Sequence, residues 1–303
     1  MSFTLAHFSD VHLGPVAIAD VFGDFRLKRI IGGLSWGLRR RAMHIRAHAD
    51  ALRADIHAQA PDHICFTGDL VNIAARAEFR RGLEWLKTVG TPADLTMVPG
   101  NHDAYVHLAH DTGLGLLNPF MEGDGSSNDH IFPFVRLRRN IAIIGLSSAQ
   151  PQRLNKAGGT LGKEQRTALA TRLADLGARG FYRLVMIHHP PLPGLTPARR
   201  ALTDAPELRE VLKDSGAELV IHGHNHTTQI NGLDTASGRA FVVGVPSASM
   251  VDKDGHESAQ WHAYSVNRAR GKWQTRLTIR RLHGATGRFV DVRSGILGQD
   301  IEA

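Results

Sequence analysis

Residues 3–12 read FTLAHFSDVH, a short, mostly apolar run followed at once by two polar residues, Asp10 and His12. Four later segments repeat this arrangement. Their apolar runs lead into Gly68-Asp69, Gly100-Asn101-His102-Asp103, His188-His189 and Gly223-His224-Asn225-His226. In open α/β sheets, ligands bind beyond the carboxyl ends of the strands. The sequence therefore predicts five buried strands that bring their polar residues together at one shared edge.

The composition is that of a globular enzyme. The chain has 303 residues, of which 42% are apolar and 21% are charged. The single cysteine, Cys65, lies inside an apolar run and has no partner for an internal disulfide, which suits a reducing compartment. The first residues lack signal-peptide features, and no apolar stretch reaches the ~20 residues that cross a bilayer. We expect a cytoplasmic protein, with peripheral attachment to the membrane as an alternative.

The net charge of +7 is unevenly distributed along the chain. Residues 25–48 hold seven Lys and Arg residues and no acid, and residues 266–293 hold eight against one acid. Each segment therefore carries +7, and the remainder of the chain carries −7. Such segments indicate surfaces that meet anionic partners, or else ordinary solvated faces. Both interpretations stay open at this point.

Hydrophobic periodicity and turn residues predict the order of the elements. We expect helices at 16–60, 76–89, 162–176 and 204–215, with a break at Gly32-Gly33 in the first. We expect further strands at 132–137, 141–146, 239–245, 261–266 and 273–282, and a loop at 123–128. The pattern predicts an α/β (α+β) fold, a four-layer αββα sandwich of two mixed sheets flanked by helices. We expect one domain, 1–303, with a basic helical insert at 16–48 and a β-rich part at 227–293.

The polar residues at the strand ends have the chemistry of metal ligands. Carboxylate, carboxamide and imidazole donors without thiolates suit Mn, Fe, Zn or Co. The candidates are Asp10, His12, Asp69, Asn101, His188, His224 and His226. Seven ligands exceed the needs of one tetrahedral zinc ion and suit two metal ions about 3.5–4 Å apart that share a carboxylate. Gly68 before Asp69 allows the sharp turn that a shared carboxylate requires.

This series of motifs resembles the calcineurin-like metallophosphoesterase superfamily. Pro246-Ser247 and the segment 188–193, HHPPLP, resemble its bacterial class III cyclic-nucleotide phosphodiesterase and glycerophosphodiesterase branch. The resemblance implies that Asp10, His12 and His226 bind one metal, that Asn101, His188 and His224 bind the other, and that Asp69 bridges them. The ligand of the family usually lies two residues before a proline, which selects His188. His189 would then support a ligand or contact the substrate phosphate.

The resemblance also implies catalytic roles. His102 would hydrogen-bond the phosphoryl oxygen or protonate the leaving group, and Asp103 would orient it. The protein phosphatase branch has an aspartate at the position of Asn72. We expect Asn72 to orient the His102 ring or to contact the substrate, although an amide stabilises an imidazolium less well than a carboxylate does.

These features predict a phosphodiester hydrolase acting on a cyclic nucleotide or a glycerophosphodiester. One alternative is an enzyme for membrane-associated, lipid-linked phosphodiesters or pyrophosphates, because residues 16–48 combine Trp36 and other apolar residues with basic ones. A nuclease is another, although few aromatics accompany the basic segment 266–293, so nucleic acid is not the expected partner. A non-catalytic scaffold, as in the retromer-subunit branch, is disfavoured because all seven ligand positions are filled. Self-association into a homo-oligomer stays open.

Overall fold

The computed structural model describes residues 2–23, 26–125, 132–253 and 255–302, so residues 126–128 of the predicted loop lie outside it. Its helices are α1 (Ile18–Phe22), α2 (Leu27–Leu38), α3 (Arg46–Gln59), α4 (Arg76–Val89), α5 (Lys163–Ala178) and α6 (Ala205–Ser215). Its strands are β1 (Phe3–Phe8), β2 (His63–Phe66), β3 (Leu95–Met97), β4 (Phe134–Arg138), β5 (Ile141–Gly145), β6 (Tyr182–Met186), β7 (Leu219–His222), β8 (Gln229–Thr235), β9 (Gly238–Gly244), β10 (Gln260–Ala269), β11 (Lys272–His283) and β12 (Arg288–Ile296).

The described strands form two mixed sheets of six strands each. The first has the order β12-β11-β10-β1-β2-β3, and the second has the order β4-β5-β6-β7-β9-β8. In the first sheet, β1 is parallel to β2 and antiparallel to β10. In the second, β5, β6, β7 and β9 run parallel. The β-rich part after residue 226 therefore completes both sheets, because β8 and β9 join one and β10 to β12 join the other.

Successive side chains of the central strands point alternately to the two faces of the sheet, and each face packs against a different layer. On β6, Leu184 and Met186 join the core that also contains the first sheet. Val185, between them, packs into a second cluster with Leu169 of α5 and Leu208 of α6. Successive strand residues point to opposite faces, so one face of this sheet meets the other sheet and one meets the helices. The predicted sandwich of two mixed sheets flanked by helices is confirmed.

The predicted helix break at Gly32-Gly33 is wrong. Helix α2 runs through both glycines without interruption. A Cβ atom at Gly33 would lie 2.4 Å from Val21 Cγ2, so this glycine allows close packing of α1 against α2. The helical segment instead ends after Leu38, and α3 begins at Arg46, later than the periodicity predicts. The close packing of α1 against α2, and not a break in the helix, therefore explains why a glycine occupies position 33.

The sequence analysis also missed β8 and β12. Both lie at sheet edges, beside a single neighbouring strand. Their residues are half-buried or exposed almost throughout, and both carry charged residues. Edge strands of this kind lack the apolar run by which a buried strand is recognised, and their charges protect the edge from pairing with other chains.

Candidate metal centre

The loops that follow the five predicted strands meet at one edge. The backbone N–H of Asp10 donates to the Gly68 carbonyl at 2.9 Å, and that of His12 donates to the Asp69 carbonyl at 2.9 Å. On the second sheet, the Gly223 N–H donates to the His188 carbonyl at 3.1 Å. The site therefore lies where both sheets present their carboxyl ends, as the sequence predicts.

The backbone is strained at this edge. Among the described residues, ten other than glycine have positive φ, and five of these are predicted ligands. They are Asp10 (54°), His12 (45°), Asp69 (58°), His224 (70°) and His226 (57°). Left-handed conformations in non-glycine residues are costly and concentrate at functional sites. Gly68 has φ 93°, and a Cβ there would lie 2.3 Å from the Gly100 nitrogen, so only glycine lets these two loops approach.

Asp69 occupies the middle of the cluster. Its Oδ2 lies 3.7 Å from His12 Nε2 and 3.5 Å from His188 Nε2. Its Oδ1 accepts the backbone N–H of His102 at 2.7 Å, which fixes the orientation of the carboxylate. One carboxylate oxygen thus lies between two imidazole nitrogens that come from different sheets.

The donors around Asp10 are equally close. Asp10 Oδ1 lies 3.1 Å from His226 Nε2 and 3.8 Å from His12 Nε2, and the two imidazole nitrogens lie 3.4 Å apart. Donor atoms that are each about 2.0–2.2 Å from one ion lie about 3–3.6 Å from each other. Two of the three separations, 3.1 and 3.4 Å, lie in this range and fit a common cation, and the 3.8 Å between Asp10 Oδ1 and His12 Nε2 lies just beyond it. Asp10 Oδ2 accepts the backbone N–H of His224 at 2.9 Å.

The donors around His188 include two histidines with the hydrogen bonds of metal ligands. Asn101 Oδ1 lies 3.1 Å from His188 Nε2. The other nitrogen of His188, Nδ1, donates to the Thr67 carbonyl at 2.7 Å, and His224 Nε2 donates to the Arg200 carbonyl at 2.9 Å. Such carbonyl contacts fix the tautomer and leave the second ring nitrogen available to a metal.

His189 does not fit the predicted contact with substrate phosphate. The side chain is fully buried, and both ring nitrogens have protein partners. Nδ1 accepts from the Ser148 hydroxyl at 2.7 Å, and Nε2 donates to the Ala157 carbonyl at 3.0 Å. Its ring packs 4.4 Å from that of His224, centroid to centroid. His189 therefore supports His224, which is the other role that the sequence suggested.

The electrostatics favour cations in the cluster. Burial, followed by nearby positive groups, lowers the pKa of His12 and of His224, so both rings are neutral, as a metal ligand must be. Burial, together with the carboxylate of Asp10, raises the pKa of Asp69 well above its usual value. Burial also opposes ionisation of Asp10, but the His226 imidazole outweighs it and lowers that pKa. Neutral imidazoles around crowded, buried carboxylates fit metal ions.

The predicted contact between Asp103 and His102 is wrong. The Asp103 carboxylate accepts four backbone N–H groups instead, those of Asp69 (2.8 Å), Gly100 (2.9 Å), Leu70 (2.9 Å) and Val71 (3.1 Å). Burial raises the pKa of Asp103 to about 6 against the opposing effect of these bonds. Asp103 thus joins the loop that carries the central carboxylate to the loop at residue 100.

Asn72 also acts differently from the prediction. Its side chain is buried, and the amide nitrogen donates to the Leu13 carbonyl at 3.2 Å and not to His102. Its backbone carbonyl accepts from His102 Nδ1 at 2.5 Å. The His102 ring also stacks on Tyr105, with centroids 5.5 Å apart and planes at 5°. The main chain at position 72 therefore orients His102.

Arg40 is a site residue that the sequence analysis missed. One guanidinium nitrogen, Nη2, lies 2.9 Å from His12 Nδ1, and the other, Nη1, lies 3.4 Å from His102 Nδ1. Arg40 follows helix α2, so the basic insert reaches into the centre. The basic run at 39–41 marks the segment, but nothing in it distinguishes Arg40 from Arg39 and Arg41, which are exposed.

His44 is the second residue of the insert at the site. Its ring lies 4.5 Å from that of His12, centroid to centroid, and its Nδ1 pairs with the Ser249 hydroxyl at 2.8 Å. One ring nitrogen each from His44, His12 and His226 lie within 4.8 Å of one another, a group able to hold a metal ion. No motif of the sequence indicates this position.

A cavity of about 280 Å³ adjoins the cluster at Asn101 and His102. Helix α2 and residues from 150–157 and 199–200 form its other walls. A larger cavity, of about 640 Å³, lies near Tyr182 and Trp273 and includes none of the predicted ligands among its lining residues. The smaller cavity is therefore the one beside the candidate metal ligands.

A buried set of carboxylate, carboxamide and imidazole donors at the shared edge of two sheets defines a metal-dependent hydrolase. The model of the calcineurin-like phosphoesterase family matches residues 3–228. The chain therefore belongs to the calcineurin-like phosphoesterase family and is a metal-dependent phosphoester hydrolase. The superfamily assignment made from the motifs is confirmed.

Curated relatives point to one branch. The chain is 29% identical over 232 residues to a Synechococcus protein named as a probable cyclic nucleotide phosphodiesterase, covering 76% of this chain and 81% of the relative. It is 27% identical over 250 residues to a Mycobacterium tuberculosis protein named as a cAMP/cGMP dual specificity phosphodiesterase, covering 80% of this chain and 65% of that relative. Both names agree with the branch that the motifs resemble.

Solved structures share the fold. A dimetal phosphatase from Danio rerio aligns with a TM-score of 0.62 at 16% identity, covering 97% of this chain and 98% of that one. A purple acid phosphatase from yellow lupin aligns with a TM-score of 0.58 at 11% identity, covering 98% and 53%. At these identities the likeness concerns the fold. Among the described residues, no helix has the length and apolar content needed to span a membrane.

Proposed function

We propose that this protein hydrolyses phosphodiesters, of the cyclic-nucleotide or glycerophosphodiester type, at a centre of two metal ions. The main support is the position of Asp69 Oδ2, 3.7 Å from His12 Nε2 and 3.5 Å from His188 Nε2. Asp10, His12 and His226 would hold one ion, and Asn101, His188 and His224 would hold the other, with Asp69 available to both. The donor types suit Mn, Fe or Zn. The names of the two curated relatives agree with the proposal.

When bound, two such ions supply hydroxide near neutral pH and offset the charge of the phosphate. The protein supplies the orientation. The Asn72 carbonyl and the Tyr105 ring hold His102 in one pose, and within the described ranges no hydrogen bond occupies its Nε2. His102 is therefore free to hydrogen-bond the phosphoryl group or to protonate the leaving oxygen.

Arg40 binds a phosphoryl oxygen in this proposal. A guanidinium only donates hydrogen bonds. When His12 binds a metal through Nε2, its Nδ1 carries the proton, and two donors then face each other across the 2.9 Å contact. Arg40 forms no ion pair with a carboxylate among the described residues, so it needs another acceptor. A phosphate oxygen matches its planar fork.

The test is a substrate panel on protein loaded with Mn, in which kcat/KM is measured for cyclic AMP, cyclic GMP and glycerophosphocholine. We expect one of these classes to be hydrolysed efficiently, two metal ions per chain, and loss of both turnover and a metal ion in Asp69→Asn. Asp214→Asn, at an exposed acid, is the matched control. Full turnover in Asp69→Asn, or a purified protein that binds no metal, would refute the proposal.

One observation favours a second candidate, a substrate at a membrane surface. Helix α2 exposes a stripe of apolar residues: Leu27 (63%), Ile31 (42%), Leu34 (59%) and Leu38 (82%). Their spacing of three or four residues places them on one face. Packing of the insert on the core therefore accounts for Trp36, which is buried, but not for this stripe. An exposed apolar stripe of this kind marks an interaction surface.

Charge indicates an anionic lipid surface as the partner. Arg39 and Arg41 are exposed at the end of the stripe, and basic residues beside an apolar helix face favour anionic membranes. The exposed fractions amount to about two and a half whole side chains, or about 4–7 kcal/mol of gross transfer free energy at 1.5–3 kcal/mol per side chain. Ile31 also lines the cavity beside His102, so docking would bring head groups to its mouth.

Co-sedimentation with vesicles of phosphatidylglycerol and phosphatidylcholine tests this candidate. We expect the wild type to bind and the double variant Leu27→Ser, Leu34→Ser to bind at least tenfold more weakly, with unchanged stability. The matched control, Val290→Ser with Val292→Ser, alters exposed apolar residues on β12. Absence of wild-type binding would reject the membrane partner, and a concentration-dependent dimer that Leu27→Ser abolishes would assign the stripe to a second copy.

A further inference from the structure

The cavity beside His102 has an unbalanced charge. Its lining includes four basic residues and no Asp or Glu: Lys28, Lys156, Arg199 and Arg200. None of the four forms an ion pair in the part of the chain that the structure describes. A cleft lined by charges of one sign concentrates ligands of the opposite sign. The cavity is therefore suited to an anion.

Of these basic groups, one is held by contacts and another has a buried donor without a partner. Lys28 Nζ donates to the carbonyls of Tyr105 at 2.7 Å and Gln152 at 2.8 Å, and it lies 4.2 Å from the centroid of the Tyr105 ring. Arg200 Nε is buried and has no hydrogen-bond partner. A buried donor without a partner is costly. A bound anion would give this donor an acceptor.

The walls of the cavity are joined to the metal centre. The Arg200 carbonyl accepts from His224 Nε2 at 2.9 Å, and the Ala157 carbonyl accepts from His189 Nε2 at 3.0 Å. The segments that carry the basic residues therefore also orient His189 and His224. This arrangement fixes the cavity walls relative to His224 and His189 before substrate binds, and such preorganisation lowers the cost of binding.

The size of the cavity limits its occupant. At about 280 Å³ it lies just below the 300–1,000 Å³ typical of sites for drug-sized ligands. This volume suits a phosphorylated sugar or a diphosphate and not an acyl chain. Asn101 and His102 are among its lining residues, so an occupant would lie next to both.

We propose that this cavity is a second anion subsite, so that the preferred substrate carries a phosphate or diphosphate group in addition to the scissile phosphodiester. The inference rests on the proposed phosphodiesterase function and narrows its substrate class. Cyclic AMP and glycerophosphocholine carry a single phosphate and leave the subsite empty. Substrates with a second phosphate on one arm fill it, and the charge-assisted hydrogen bonds of Arg199 and Lys156 hold that group.

Three matched dinucleotides test the subsite with the metal-loaded enzyme: TpT, pTpT and TpTp. We expect one of the phosphorylated forms to exceed TpT in kcat/KM by about 10–150-fold, the value of one charge-assisted hydrogen bond. The double variant Lys156→Ala, Arg199→Ala should lose this advantage and keep its kcat/KM on TpT. The control, Arg209→Ala with Lys213→Ala, removes two exposed charges on α6 and should keep the advantage.

A binding experiment makes the outcomes distinguishable. Calorimetry on the full chain after EDTA treatment, which prevents turnover, compares thymidine 3′,5′-bisphosphate with thymidine 5′-monophosphate. We expect tighter binding of the bisphosphate in the wild type and equal binding in the Lys156→Ala, Arg199→Ala variant. Failure to hydrolyse any phosphodiester would reject the proposed function. Hydrolysis without a preference for the second phosphate, or a preference that survives in the double variant, would reject the subsite alone.

Discussion

Replacement of Arg40 distinguishes two roles for its guanidinium, binding of substrate phosphate and positioning of His12. Arg40→Ala removes the guanidinium that lies 2.9 Å from His12 Nδ1 and 3.4 Å from His102 Nδ1. If Arg40 serves substrate, its loss weakens phosphate binding and leaves metal binding intact. If Arg40 holds His12 in place, its loss weakens metal binding first. The two roles therefore predict different orders of effect.

The structure sets the magnitude. Both terminal nitrogens of Arg40 point into the site, and a charge-assisted hydrogen bond contributes about 1.5–3 kcal/mol. At about 1.36 kcal/mol per tenfold change, kcat/KM should fall about 10–150-fold. Metal affinity should be unchanged or higher, because a positive charge and an opposing donor beside His12 are removed. Arg41→Ala, one residue away and exposed, should change neither quantity.

Two assays decide the question. Competition with a chromophoric chelator gives the metal affinity, and steady-state kinetics at saturating metal gives kcat and KM. Low millimolar guanidinium ion should restore part of the rate to Arg40→Ala and none to the Asp69→Asn variant. A fall in metal affinity as large as the fall in kcat/KM would refute the reasoning, because it would show that Arg40 positions His12.

Three further predictions concern the surroundings of the centre. His102→Ala should retain both metal ions by metal analysis and lose about 10²–10⁴-fold in kcat, as expected for a general acid. Asp103→Leu leaves four buried N–H groups without an acceptor, so urea unfolding should show a loss of about 4 kcal/mol or more, at about 1 kcal/mol or more for each group. Burial lowers the pKa of His63 and His262 to about 3, below the unfolded value of 6.5. The unfolded state therefore binds protons first, and stability falls as the pH drops from about 6.5 towards 3, by up to about 1.4 kcal/mol per pH unit for each histidine. Between about pH 6 and 4, where the unfolded histidine is protonated and the folded one is not, His262→Phe should remove about one proton from that slope.

Each of these predictions has a contrary result. Loss of a metal ion in His102→Ala would make this residue a ligand. Normal stability in Asp103→Leu, with an altered pH–rate profile, would restore the predicted role of Asp103 in orienting His102. An unchanged slope of unfolding free energy against pH in His262→Phe would show that this histidine is protonated in the folded protein.

The sequence was sufficient where chemistry follows strand order directly. Each predicted ligand comes just after a buried strand, and parallel strands leave their carboxyl ends at one edge, so proximity could be inferred without coordinates. The close approach of Asp10, Asp69 and His188 in the structure agrees with that inference. The central strands were recognisable for the same reason, because burial on both faces gives continuous apolar runs.

The sequence was insufficient where a side chain acts on distant backbone or arrives from a distant segment. The Asp103 carboxylate binds backbone N–H groups, and the Asn72 backbone carbonyl binds the His102 ring. Residue types do not reveal such contacts with the main chain. Arg40 and His44 reach the site from the insert, and no periodicity distinguishes them from their neighbours. The sequence analysis predicted a helix break at Gly33 because the contact of this glycine with Val21 exists only in the packed fold.

The most direct measurement is anomalous X-ray scattering from crystals of the metal-loaded protein. We predict two metal peaks about 3.5–4 Å apart with Asp69 bound to both. A single peak, or two peaks of which only one contacts Asp69, would contradict the shared centre on which the proposed reaction depends.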